Sequence, residues 1–387
     1  MQTDPLSKLH NLSADELKAI LVQLLGAEAF PVEGWTVTEI GRSAGTSTAG
    51  IFRLAGAATT ADGVLPWSTV VKVLGPPRLE GREYDPMGAL RELAFYRASA
   101  SAIQRDRVRS PRCYAIEEWD NLHFIWLEDL SAAPQPPWLP KHFIQAAQHV
   151  GQFNWRWAEP ALPDWPWLNP NGLREKYRAP NHARAFAQLS ALAQVPIAGR
   201  TLPTDIVQGL LQLWQSGDKL FAKVEEGRKC LCHRDYHPKN LFPMPDTGAG
   251  SYTVAIDWDQ AGVEYLGADI GLLLGSPIKW MELSPDQAEA LIEPIFDAYL
   301  AGLAEAGWSG NEDAVRLTYL TCLSTGEASR LAWLTSMVIE YPERHASFEQ
   351  LLQHPIAQIF DWWVEALRFF LTHHDRALQL ARRQRLA

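Results

Sequence analysis

His233-Arg-Asp-Tyr-His-Pro-Lys-Asn240 and, after an intervening strand, Ile256-Asp-Trp-Asp259 decide how this chain is read. Lys229–Cys232 leads into the first motif as a short strand, and Val254-Ala-Ile256 leads into the second. The HxDxxxxN spacing places a carboxylate, Asp235, and a carboxamide, Asn240, on one loop. Phosphoryl transfer needs such groups. An acceptor hydroxyl needs a carboxylate to orient it and take its proton. The polyanionic phosphates of a nucleotide need a divalent cation held by oxygen ligands. Asp235 is therefore the candidate at the hydroxyl. Asn240 and Asp257 are the candidates at Mg²⁺, with Asp257 the main ligand because a strand end holds it rigidly.

Outward from this island the sequence divides in two. Ser13-Ala-Asp-Glu16 has capping-box spacing and predicts a leading helix that closes near Gly26. Trp35–Ile40, Ile51–Leu54 and the β-branched run Ser68–Leu74 predict strands, with Lys72 inside the last. A Gly/Ser/Thr-rich loop, Gly41–Gly50, joins the first two. Residues 86–101 carry helical spacing around Glu92. Cys113–Trp119 and Leu122–Leu127 predict a hairpin turning at Asp120-Asn121. The Pro-rich stretch Ala132–Trp138 is the boundary, after which helical patterns dominate: 140–158, 180–194, 203–224, 284–306, 312–338 and 346–384. The expected layout is α+β and bilobal: residues 1–131 as a small β-rich lobe with a leading helix, and 132–387 as a helical lobe carrying the catalytic loop and the acceptor site.

The motifs together resemble those of the aminoglycoside phosphotransferase and choline kinase group, which shares the protein-kinase-like fold. His233–Phe242 looks like that group's catalytic loop, Ile256–Asp259 like its metal-binding segment, and Gly267-Ala-Asp269 like its short follow-on, where the acid is structural. The resemblance implies further roles. Lys72 matches the strand lysine that contacts the ATP α- and β-phosphates, and Glu92 the helix glutamate that pairs with it. The Gly41–Gly50 loop would cover the phosphates, with Ser43, Thr46 and Ser47 as donors. Main-chain groups from Glu128 to Leu130 would meet adenine. The family usually has Gly where Arg234 stands, and the loop glycines at 41, 45 and 50 do not form a GxGxxG. Only eleven residues separate Asp257 from Asp269, too few for the activation segment of a protein kinase.

Composition sets the outer limits. The 387 residues are 47% hydrophobic and 21% charged, the balance of a globular chain. A net charge of −10 argues against nucleic-acid binding. No apolar run approaches a membrane span, and the first residues lack the apolar core of a signal peptide. The four cysteines form no CxxC or zinc-finger pattern, so a reducing, cytoplasmic setting is expected. Cys230 and Cys232 are expected on one buried face of a strand. Sixteen tryptophans, four of them between 155 and 167, read either as core or as an aromatic wall for a small-molecule hydroxyl acceptor. Three other functions stay open: a non-catalytic nucleotide-binding protein, a metal hydrolase built on His233, Asp235 and His237, and a protein kinase.

Overall fold

Alternation along one strand organises the first part of the chain. Side chains on a strand point to opposite faces in turn. Val71 and Val73 enter a core with Leu17, Ile20 and Leu21 of the leading helix and with Leu54, Phe124 and Trp126, while Lys72 between them faces the other side. The computed structural model describes residues 4–26, 28–31, 34–41, 48–75, 88–170, 172–245 and 250–384. It forms two compact units: one of residues 1–134, 165–167 and 254–260, the other of 135–164, 168–253 and 261–387. A single cut after residue 131 therefore does not match this division, because the Ile256–Asp259 motif, with Asp257, belongs to the first unit.

In the first unit the strands run Ala29–Pro31, Thr48–Thr60, Gly63–Leu74, Leu122–Glu128, Cys113–Trp119, with Thr36–Gly41 also on Thr48–Thr60. Each pairing is antiparallel. The predicted capping box is present: Ser13 Oγ accepts from the Glu16 amide at 3.2 Å, and Glu16 Oε2 accepts from the Ser13 amide at 2.7 Å. Asp120 and Asn121 both take positive φ, 52° and 65°, as a tight primed turn requires. The strands at 48–60 and 63–74 are longer than expected and join at Ala61-Asp62, where Gly63 has φ 110°. The helix Gly88–Ala98 carries Glu92.

The second unit is helical around a short ladder. Lys229–Cys232 pairs antiparallel with Gly262–Tyr265. Helices at Pro140–Arg156, Pro180–Leu192 and Thr204–Val224 match predicted patterns, while the pattern at 284–306 is two helices, Pro285–Glu289 and Ile292–Glu305, and that at 346–384 is His345–Leu352 and Ile356–Arg383. The pattern at 312–338 is two helices, Glu312–Thr321 and Glu327–Glu340, joined by a π turn at Cys322–Gly326. The helix Ala268–Lys279 was not expected; all its residues are buried, so it carries no polar face and no amphipathic period. Cys230 and Cys232 are free and buried, with sulfurs 3.5 Å apart. Among the described residues no helix is long and apolar enough to cross a membrane.

Candidate active site

In the first unit, Lys72 stands between two carboxylates. Its Nζ lies 2.6 Å from Glu92 Oε2 and contacts Asp257 Oδ1. The Lys72 and Glu92 side chains are only 8% and 4% exposed. Burial opposes the lysine charge, but attraction to Asp257 and then to Glu92 outweighs it and raises the ammonium pKa. Burial likewise pushes the Glu92 carboxyl up, with Lys72 holding it down in part. A strand and the helix after it supply this pair, and the short segment at 254–260 supplies the third group.

The same helix anchors that segment. Arg91, almost fully buried, donates from Nε to the Trp167 carbonyl at 2.7 Å and from Nη1 to the Asp259 carbonyl at 2.9 Å. Trp258 stacks on Phe95, with centroids 4.8 Å apart and planes 11° apart. Asp257 has φ +60°, a region Asp tolerates better than most residues. Arg91 was missed in the sequence; the available signal was a second charge beside Glu92 inside an apolar helical stripe. Trp167, one of the four tryptophans read as core or as an acceptor wall, is packed within the first unit. Trp167 lies edge-on to Phe95 at 5.5 Å, stacks with Trp165 and donates to Ser99 Oγ at 2.9 Å.

Lys72→Met is expected to raise KM for the nucleotide and lower kcat, and Glu92→Gln to do the same more weakly. Both act through one buried pair, so the double variant should cost less than the sum, with a coupling of about 0.5–3 kcal/mol. Steady-state kinetics on the three variants check this; strict additivity would separate the two residues.

The expected adenine contacts are partly engaged within the unit. The Glu128 amide donates to the Arg112 carbonyl at 2.9 Å, and the Leu130 carbonyl accepts from Ala133 at 3.0 Å. Arg109 grips the Glu128 carboxylate with two bonds, 2.7 and 3.0 Å, which fixes the strand end. Ser43, Thr46 and Ser47 lie outside the described residues.

In the second unit the His233–Asn240 loop is clamped from behind. Asp269 accepts from the His233 amide at 3.1 Å and the Arg234 amide at 2.9 Å. Arg234 has φ +65°, which explains why glycine suits this position. Its side chain offsets that strain: it is buried, with Nε 3.3 Å from Glu264 Oε1 and Nη1 donating to the Asn169 carbonyl at 3.1 Å. Gly262 leaves room for it, since a Cβ there would fall 2.3 Å from Arg234 Nη1. Tyr236 OH donates to the Ala146 carbonyl at 3.0 Å and pins the middle of the loop.

This leaves Asp235 with its side chain 41% exposed. Asn240 Nδ2 donates to its carboxylate at 2.8 Å and its carbonyl at 3.1 Å, and His237 Nε2 lies 3.5 Å away. Burial pushes the carboxyl up, but the His237 hydrogen bond and the charges of His237, His233 and Arg330 outweigh it and hold it well below the usual range. Since the Asn240 nitrogen is used on Asp235, its carbonyl oxygen is the atom left to accept. A carboxamide carbonyl here and, in the first unit, the Asp257 carboxylate are each hard oxygen donors of the kind Mg²⁺ takes. Among the described residues no group of three or more His, Cys, Asp or Glu is placed to hold a metal.

The model of the Phosphotransferase enzyme family matches residues 68–309. An aminoglycoside phosphotransferase from Alicyclobacillus acidocaldarius is similar in structure, with a TM-score of 0.50, 15% identity, and 84% of this chain and 90% of that chain covered. That likeness shows the expected α+β, protein-kinase-like fold. A choline kinase from Cryptosporidium parvum aligns over 95% of this chain and 96% of its own, at 10% identity and a TM-score of 0.48. No curated protein matches the sequence.

Proposed function

Since this chain belongs to the Phosphotransferase enzyme family, we propose that it transfers the γ-phosphoryl group of ATP, with Mg²⁺, to a hydroxyl of a small molecule. The observation that carries this reading is Lys72, buried between Glu92 and Asp257 in the first unit. A structural ion pair would need one carboxylate. Two carboxylates, one of them on a segment reached 185 residues later, fit a lysine that directs phosphates beside a metal ligand.

The roles follow from the chemistry of each group. Lys72, positioned by Glu92, binds the α- and β-phosphates. Asp257 and Asn240 would hold the metal, which supplies charge neutralisation on the phosphates. Asp235 orients the acceptor hydroxyl. Its depressed pKa makes it a weak base, so it takes the proton late, as the oxygen acquires its bond to phosphorus. That suits a loose phosphoryl transition state, in which positioning and charge stabilisation dominate.

The short span between Asp257 and Asp269 supports a small acceptor over a protein. The test is transfer from labelled ATP. Casein and histone should take up no label, while a panel of hydroxylated metabolites and antibiotics should give at least one product that requires Mg²⁺. Robust protein labelling with no small-molecule product would overturn the acceptor class.

A further inference from the structure

Residue 234 suits glycine by its backbone and is an arginine instead. At φ +65° a side chain adds strain that glycine would not carry. This residue directly precedes Asp235, so whatever holds it also sets the place of that carboxylate. Asp269 holds the backbone, through the His233 and Arg234 amides. The Arg234 side chain does something different. It leaves the loop and joins two other segments of the second unit.

Strand Gly262–Tyr265 lies beside Lys229–Cys232, with Gly262 opposite Cys232 and Glu264 opposite Cys230. Residues two apart on a strand share a face. The guanidinium therefore crosses the bare Gly262 to reach Glu264, its Nε 3.3 Å from Oε1. Its Nη1 donates to the Asn169 carbonyl at 3.1 Å. The Asn169 amide in turn donates to the Ala261 carbonyl at 2.9 Å. The Leu173 amide, at the start of the helix Leu173–Tyr177, donates to the same Glu264 Oε1 at 2.8 Å. Arg234, Glu264 and Asn169 are all buried. The crossing is tight, since a Cβ on Gly262 would fall 2.3 Å from Arg234 Nη1 and 2.8 Å from the Asn169 carbonyl oxygen. A planar, buried guanidinium engaged through two of its nitrogens is held in one orientation.

We propose that Arg234 is a positioning residue for the transfer step: its side chain, through Glu264 and the Asn169 carbonyl, ties the His233–Asn240 loop to the start of the helix Leu173–Tyr177 and so fixes Asp235 for the acceptor hydroxyl. This rests on the kinase reading above, in which Asp235 orients that hydroxyl. Glycine at 234 would relieve the backbone but leave the loop without this tie, so the arginine side chain does what backbone freedom cannot.

The test uses the full chain and Mg²⁺-dependent hydrolysis of ATP, in which water takes the place of the acceptor hydroxyl. Arg234→Gly supplies the residue that φ +65° suits and removes only the side chain. A backbone role alone would leave this variant as active as the parent. The side-chain tie instead predicts that kcat falls about ten- to a hundredfold, the scale of a misplaced reacting group, with KM for ATP unmoved. Millimolar methylguanidinium should restore part of kcat in Arg234→Gly and none in Asp235→Asn. Gly262→Ala is the second variant: it removes no charge but puts a methyl group where Arg234 Nη1 and the Asn169 carbonyl meet. It should lower kcat in the same way, and hydrogen exchange in peptides covering His233–Asn240 should speed up in both variants. Parental kcat in Arg234→Gly would overturn the positioning role and leave the kinase reading standing. Unchanged exchange of the loop in Arg234→Gly would overturn the tie whatever the activity. Absence of Mg²⁺-dependent ATP binding by calorimetry in the parent would instead remove the kinase reading itself.

Discussion

Asp235→Asn lowers turnover at least about a hundredfold, the scale of losing a positioned proton acceptor, and leaves ATP·Mg²⁺ affinity within a few-fold of the parent. The substitution keeps size and shape, and a carboxamide oxygen at 235 can still accept from Asn240 Nδ2, now 2.8 Å from the carboxylate. The clamp on the loop runs through the His233 and Arg234 amides to Asp269 and does not involve the Asp235 side chain. Lys72, Glu92 and Asp257 belong to the first unit and are untouched. The loss is therefore in kcat. The pH profile carries a second consequence. A carboxyl whose folded pKa is depressed is ionised throughout the neutral range and loses its charge only as pH falls through that low value. An acidic limb near pH 5–6 in the parent profile must then belong to another group, and it should survive in the Asn variant. Single-turnover kinetics and calorimetric ATP titration measure the two effects; a kcat close to the parent value would remove Asp235 from the reaction.

The parts of the site legible in the sequence are those set by local spacing. HxDxxxxN fixes Asp235 and Asn240 on one loop whatever surrounds it, and the Asn240–Asp235 hydrogen bonds span only five residues. Lys72 and Glu92 stood out as a lysine in a β-branched strand and a glutamate in an apolar helix, and the family resemblance implied that they pair. What was illegible depends on partners distant in sequence. Arg91 acts through carbonyls at 167 and 259, and nothing in Leu90-Arg-Glu-Leu93 announces them. The crowding of tryptophans at 155–167 was visible, but not that Trp167 packs on Phe95. The Ala268–Lys279 helix is buried on every side, so periodicity offers no signal, and the pairing of its Lys279 with Glu327 spans 48 residues.

Asp257→Asn is expected to remove most of the Mg²⁺ dependence of nucleotide binding, and Asp257→Ala to remove it entirely. Asp257 is the one proposed ligand with a full negative charge, whereas Asn240 offers a carbonyl dipole. Truncating one member of a desolvated charge pair costs about 2–5 kcal/mol; at 1.4 kcal/mol per decade that is about thirtyfold to a few thousandfold in affinity. The side chain is 35% exposed, so solvent screening favours the lower end. The two variants separate charge from backbone. At φ +60°, Asn is nearly as well tolerated as Asp, while Ala adds a conformational cost of about 1 kcal/mol. Asp257→Ala should therefore unfold at lower temperature than Asp257→Asn although both lose the metal effect. Lys72 keeps Glu92 as its partner at 2.6 Å in either variant, so binding of ATP without Mg²⁺ should persist and its affinity should change little. Calorimetric titration of ATP with and without Mg²⁺ gives both numbers. If the ratio of the two affinities in Asp257→Asn equals that of the parent, Asp257 is a partner of Lys72 alone, and the metal is held by other oxygens.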